Sequence, residues 1–183
     1  MANQIETDTH AKLVKEALVQ EAFKAKVFRA EKIVVDPRVR LKCRVPLCNA
    51  YGHNLMCPPN SLDLDELKEI LTHYQWALLV QIKTPYAEGF LGAKKVHKLI
   101  NHLEKEANRM GLVYAAGFIG GECKLCEQCV GQGSQEPCRH PFQARPSMEG
   151  VGIDVLRTAK NIGLDFEINH SPELIWNGLL LLE

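Results

Sequence analysis

The chain has 183 residues, 46% of them hydrophobic and 24% charged, which suits a globular domain and argues against disorder. Lysine plus arginine number 22 against 22 aspartates and glutamates, so the formal net charge is zero and offers no electrostatic case for nucleic acid or an anionic membrane surface. No apolar run reaches the ~18 residues of a membrane span, and the opening MANQIETDTHAKLVKEAL lacks the basic-then-apolar plan of a secretory signal, which predicts a cytoplasmic protein.

In chain order, residues 9–25 place Leu13, Ala17, Leu18 and Phe23 at helical spacing between charges. That predicts an amphipathic helix, packed on the domain or on a second copy in a homodimer. KIVVDP, at 32–37, reads as a short strand stopped by Pro37. The next stretch, CRVPLCNAYGHNLMCPPNS, is a loop by its proline, glycine and asparagine content. It carries Cys43, Cys48 and Cys57 in the spacing C-x4-C-x8-C-P-P, an incomplete tetrahedral set. His53 is the nearest candidate for a missing donor, although a loop histidine more often serves on the surface.

Asp63 and Glu66 have the spacing of a capping box and open a helix over 64–74. Residues 76–84, WALLVQIKT, form a run of apolar and β-branched residues ended by Pro85, which reads as a buried strand by pattern. A long helix is predicted over 89–111, with Leu91, Val96, Leu99, Ile100 and Leu103 on one stripe and Gly111 as its stop. His97 and His102 stand five apart and fall on its polar face. A strand over 112–121 follows; its Gly117, Gly120 and Gly121 do not make a dinucleotide fingerprint. A helix over 147–163, capped by Ser147 and stopped by Gly163, precedes closing strands at 165–168 and 174–182. Glu149 and Asp154 read as helix-surface carboxylates without a function. This alternation predicts an α/β fold, a single domain with a mixed sheet flanked by helices and two cysteine-rich metal-binding loops.

The second of those loops, ECKLCEQCVGQGSQEPCRHPFQAR, holds Cys123, Cys126, Cys129 and Cys138 as C-x2-C-x2-C-x8-C. Spacing by two residues lets a tight loop aim successive thiolates at one centre, and the run that grips a four-iron cluster in bacterial ferredoxins begins the same way. Structural zinc more often takes two separated C-x2-C pairs, so a [4Fe-4S] cluster is the expected cofactor and zinc the alternative. Seven cysteines would leave a pure disulfide framework one over, and inert buried thiols have no reason to cluster. A thioredoxin-like C-x-x-C at Cys123 and Cys126 is conceivable but ignores the other five.

The two cysteine stretches, with CRHP and RPSMEG leading into GID, resemble a family of uncharacterised microbial proteins known as predicted metal-binding proteins. The resemblance covers most of the chain and implies metal, often in anaerobes, without implying a reaction. Two four-iron clusters ordinarily take eight thiolates and the chain supplies seven. The expectation is that Cys123, Cys126, Cys129 and Cys138 complete one cluster, while Cys43, Cys48 and Cys57 hold a second through three irons. The remaining iron would go to His53, a carboxylate, water, substrate or a partner chain; one composite site for all seven cysteines is the other arrangement. Arg139 and His140, between Cys138 and Pro141, are candidate cofactor contacts, and Lys124, Arg145 and N–H groups near Gly131 and Gly133 are candidates to offset cluster charge. Lys124 and Arg145 equally suit solvated surface charges. Three functions follow: an electron carrier to a partner redox protein, a zinc-stabilised binding module, or an enzyme with substrate at an open iron.

Overall fold

The computed structural model describes residues 2–131, 134–164, 166 and 172–183, with side chains from residue 8 onward. Its frame is a four-stranded sheet made of β1 (Lys24–Arg29), β2 (Trp76–Pro85), β3 (Ala116–Ile119) and β4 (Glu173–Leu182), in the spatial order β1-β2-β4-β3. Helices α1 (Ala2–Val19), α2 (Pro37–Leu41), α3 (Leu64–Leu71), α4 (Leu91–Arg109), α5 (Met148–Val151) and α6 (Val155–Asn161) surround it. The chain is one small domain of helices around this sheet, in keeping with the α/β expectation. All three strand pairings are antiparallel, so the expected mixed sheet is corrected. A continuous apolar run such as Ala77–Val80 records cover on both faces. It carries no information on strand direction.

Both faces are indeed covered. On one, Leu78, Val80, Leu180 and Leu182 pack with Leu13 and Ala17 of α1 and with Val96, Leu99, Ile100 and Leu103 of α4. On the other, Leu79, Leu179, Leu181 and Phe118 pack with Leu67 of α3, Met148 and Val151 of α5, and Val155 and Ala159 of α6. Helix α4 lies hard against the sheet because Gly178 leaves it room: a Cβ there would stand 2.5 Å from Ile100 Cγ1. Among the described residues no helix is long and apolar enough to cross a membrane.

Several elements match their expected bounds. Asp63 caps α3 by accepting from the N–H groups of Asp65 and Glu66, both at 2.9 Å, while Glu66 Oε2 accepts from Asp63 N–H at 2.8 Å, a complete capping box. Gly111, with φ +97°, follows the end of α4. Elsewhere the structure departs from the reading. The first helix stops at Val19, and Phe23 and Leu18 are exposed rather than packed. Residues 24–29 are an edge strand whose alternate polar residues had the look of a helix face. The strand expected at 32–37 is a 3-10 turn, Ala30–Lys32, followed by a single bridge from Val35 to Ile153. Pro37 there starts α2 rather than stopping a strand, since proline suits the first helical position. The helix expected over 147–163 breaks in two at Gly152, where φ is +98°, and Asp154 caps the second half. Only Ala116–Ile119 of the stretch 112–121 pairs as strand. The strand expected at 165–168 lies outside the described residues except for Phe166.

Candidate metal centre

The two cysteine loops meet at one end of the sheet, where β3 leaves it and β4 enters. The first runs from α2 to α3. Asp36 caps α2, accepting from Arg38 N–H at 2.9 Å and from its guanidinium at 3.0 Å. Those bonds, the guanidinium first and the backbone N–H second, hold the Asp36 carboxyl down at about 2, from an ordinary 3.8. A carboxyl depressed on folding stabilises fully above its ordinary value and loses that contribution as pH falls through the depressed one. In urea denaturation followed against pH, the advantage of wild type over Asp36→Asn is expected to be constant in mild acid and to close between about pH 4 and about pH 2.

Asn54 organises this loop. It is 5% exposed; its Oδ1 accepts from Met56 N–H at 3.0 Å, and its Nδ2 donates to the Cys123 carbonyl at 2.9 Å. One side chain thus turns the chain toward Cys57 and ties the first loop to the second. Ser147 N–H donates to the Met56 carbonyl at 3.0 Å, which fixes the start of α5 to the same turn. Gly131 closes the junction, since a Cβ on it would stand 3.1 Å from Leu55. Sequence reading passed over Asn54; a buried asparagine in a loop announces itself only once its partners are known.

The second loop is anchored from α4. His97 Nε2 and Asn101 Nδ2 reach the Gln143 carbonyl at 2.8 and 2.9 Å. Arg145 makes two hydrogen bonds to Glu104, from Nε at 2.9 Å and from Nη2 at 2.5 Å, and Gly117 N–H joins the same carboxylate at 2.7 Å. His97 is therefore buried, not on a polar face, and burial lowers its pKa first, with nearby Arg145 lowering it further against the bond to Gln143. Arg145 is a paired anchor, not a solvated charge. Lys124 pairs with Glu122 and lies 4.3 Å from the Phe90 ring centre. Exposed Arg139 donates to the Gln128 carbonyl at 3.3 Å, linking the ends of the loop, and His140 donates its backbone N–H to Cys138 Sγ at 3.3 Å. Leu125 N–H similarly donates to Cys123. The N–H groups found on sulfur thus belong to Leu125 and His140; Gly133 lies outside the described residues.

All seven cysteines are free thiols, three on the first loop and four on the second. Cys43, Cys48 and Cys57 line a cavity of about 970 Å³, together with Glu122, Lys124, Ser147, Glu149 and Trp176. Cys126 lines a separate depression of about 490 Å³ with Arg139 and His140. Cys57 is 5% exposed. Burial pushes its thiol up to about 12, with the charges of Glu122, Cys43, Cys48 and Cys123 adding to the effect. Cys43 is raised by burial, then by Cys48 and Glu149, against Arg40. Cys123 is raised by burial and by Cys138, Cys129 and Cys126, while the Leu125 N–H opposes. Thiols that obstruct one another's ionisation in this way are satisfied together by a bound cation, and thiolates suit iron–sulfur clusters and zinc alike. The donor set therefore fits a metal. His53 stands apart, exposed, its Nδ1 3.2 Å from the Asn49 carbonyl. Among the described residues no three His, Cys, Asp or Glu side chains converge as a single-ion site.

A family model described as predicted metal-binding protein (DUF2284) matches residues 26–182. No curated protein and no solved structure matches the chain.

Proposed function

Because the chain belongs to this family of predicted metal-binding proteins, we propose that its cysteines hold two [4Fe-4S] clusters and that it carries electrons to a partner redox protein. The division of the thiols into two sets on adjoining loops supports the reading most. A four-iron cluster presents its irons at separate corners, so its ligands stand apart instead of meeting at a point. Cys123, Cys126, Cys129 and Cys138 would hold one cluster, and Cys43, Cys48 and Cys57 three corners of the other. When bound, such clusters supply reversible one-electron exchange. The residues of the chain tune it: N–H donors from Leu125 and His140 favour the more negative, reduced state and so raise the potential. Phe142, 88% exposed and four residues past Cys138, offers an apolar contact for a partner near the second loop. Reduced thiols and oxygen-sensitive clusters suit an anaerobic cytoplasm.

The cavity favours a second reading. Its size is that of small-molecule sites, and Cys43, Cys48 and Cys57 form part of its wall. An iron there with a non-thiolate position would act as a Lewis acid on a substrate. A zinc module is the third reading, in which the metal only pins the two loops.

Metal and sulfide analysis of protein purified without oxygen separates these readings, with visible absorption recorded before and after dithionite. About eight irons and eight sulfides per chain, with bleaching on reduction, are expected. Stoichiometric zinc in colourless protein sinks the electron-carrier reading. Spectral change on adding small ligands favours catalysis at the three-cysteine centre.

A further inference from the structure

We propose that the carboxylate of Glu149 supplies the donor that the three-cysteine centre lacks, as the oxygen ligand of the iron that Cys43, Cys48 and Cys57 leave open. The proposal rests on the metal reading above. Three observations carry it. Glu149 lines the same cavity as all three thiols. It is held there from several sides, because Ser147 at the start of α5 is bonded to the Met56 carbonyl and a Cβ on Gly150 would stand 3.0 Å from Pro58. Residue 149 is thereby seated against the turn that presents Cys57.

The carboxylate is also half committed in a telling way. Its Oε2 accepts from Gly121 N–H at 2.9 Å and from Ser147 Oγ at 3.1 Å. Ser147 Oγ in turn accepts from Gly150 N–H at 3.0 Å, which orients the hydroxyl. Among the described residues Oε1 accepts no hydrogen bond and remains available to a metal. A ligand carboxylate fixed through its second oxygen is the usual arrangement around protein-bound metals.

The rivals are weaker. Glu122 bears on Cys57 more strongly than any other charge, but its carboxylate is paired with Lys124. His53 is exposed and turned to the Asn49 carbonyl. A hard oxygen among three soft thiolates also makes that corner the one a substrate would open, since oxygen binds this metal less firmly than sulfur does.

The test compares wild type, Glu149→Gln, Glu122→Gln and Cys57→Ser, each reconstituted without oxygen from ferrous iron and sulfide. Glutamine keeps an oxygen for the Gly121 N–H, so the fold at α5 is retained. After anaerobic oxidation with ferricyanide, which takes up the electron, Glu149→Gln is expected to keep its sulfide, lose about one iron per chain and show the paramagnetic signal of an oxidised three-iron cluster, while Glu122→Gln matches wild type. In wild type enriched in ⁵⁷Fe, Mössbauer spectra are expected to resolve one distinct oxygen-ligated iron, a readout that depends on no variant folding. Wild-type iron content in Glu149→Gln, the loss appearing in Glu122→Gln instead, or no distinct iron in wild type overturns the assignment. Equal iron in wild type and Cys57→Ser is a different failure, because it removes the metal from this loop altogether.

Discussion

Cys57→Ser protein, loaded without oxygen, is expected to hold about half the iron and sulfide of wild type, and Cys129→Ser to hold the other half. The reasoning is geometric. Cys57 shares its cavity with Cys43 and Cys48, whereas Cys126 lines a separate depression with Arg139 and His140. Cys57 is the most buried of the seven cysteines and is raised to about 12 by desolvation first and neighbouring charge second, so its thiolate is the one most dependent on a bound cation. Serine is nearly isosteric but a poor ligand for iron, and the turn around Asn54 does not use the sulfur. Loss of all iron from either single variant would instead mean one composite site spanning both loops. Iron and sulfide determination on the two variants and their double decides between these arrangements.

Leu180→Ala is expected to cost about 2–5 kcal/mol of folding stability, read from the midpoint of urea denaturation at unchanged slope. Leu180 is fully buried on β4, opposite Leu78 on one side and Gly117 on the other. Gly117 has no side chain to fill a void, and Ile100 of α4 already presses so close that a Cβ on Gly117 would stand 2.4 Å from it. The cavity left by alanine therefore collapses poorly, which places the cost toward the upper part of the range. A loss below about 1 kcal/mol would show that α4 settles onto the sheet freely.

What the sequence made legible, and what it hid, has a physical pattern. Leu78, Leu79 and Val80 sit in an apolar run too dense for a solvated face, so β2 could be read from residue types alone. The Asp63–Glu66 cap is equally local, since both of its bonds close within four residues. The edge strand β1 is different: Lys24, Lys26 and Arg29 give it the polarity of a helix face, and its strand character comes from pairing with β2, some fifty residues away. At the site, cysteine spacing divided the thiols into two sets because ligand spacing is also local. Asn54, the tie of Ser147 to the first loop and Glu149 escaped for the opposite reason, although Ser147 was legible as a helix cap. Their roles consist of partners 69, 91 and 28 residues distant, at Cys123, Met56 and Gly121 respectively. Glu149 in particular read as a surface carboxylate only because the helix expected over 147–163 is in fact broken by Gly152.

The position of β4 sets an order of events during synthesis. It is the latest strand in the chain and yet lies between β2 and β3, with hydrogen bonds to both. Until residues 173–182 leave the ribosome, β3 has no strand to pair with and neither apolar layer can close. Both cysteine loops will by then have been made, but the end of the sheet on which they meet will not exist. Seating of a metal between the loops thus belongs after residues 173–182 have emerged, and on the proposed iron–sulfur reading the seven thiols must be kept from stray metal and oxidant for the length of that interval.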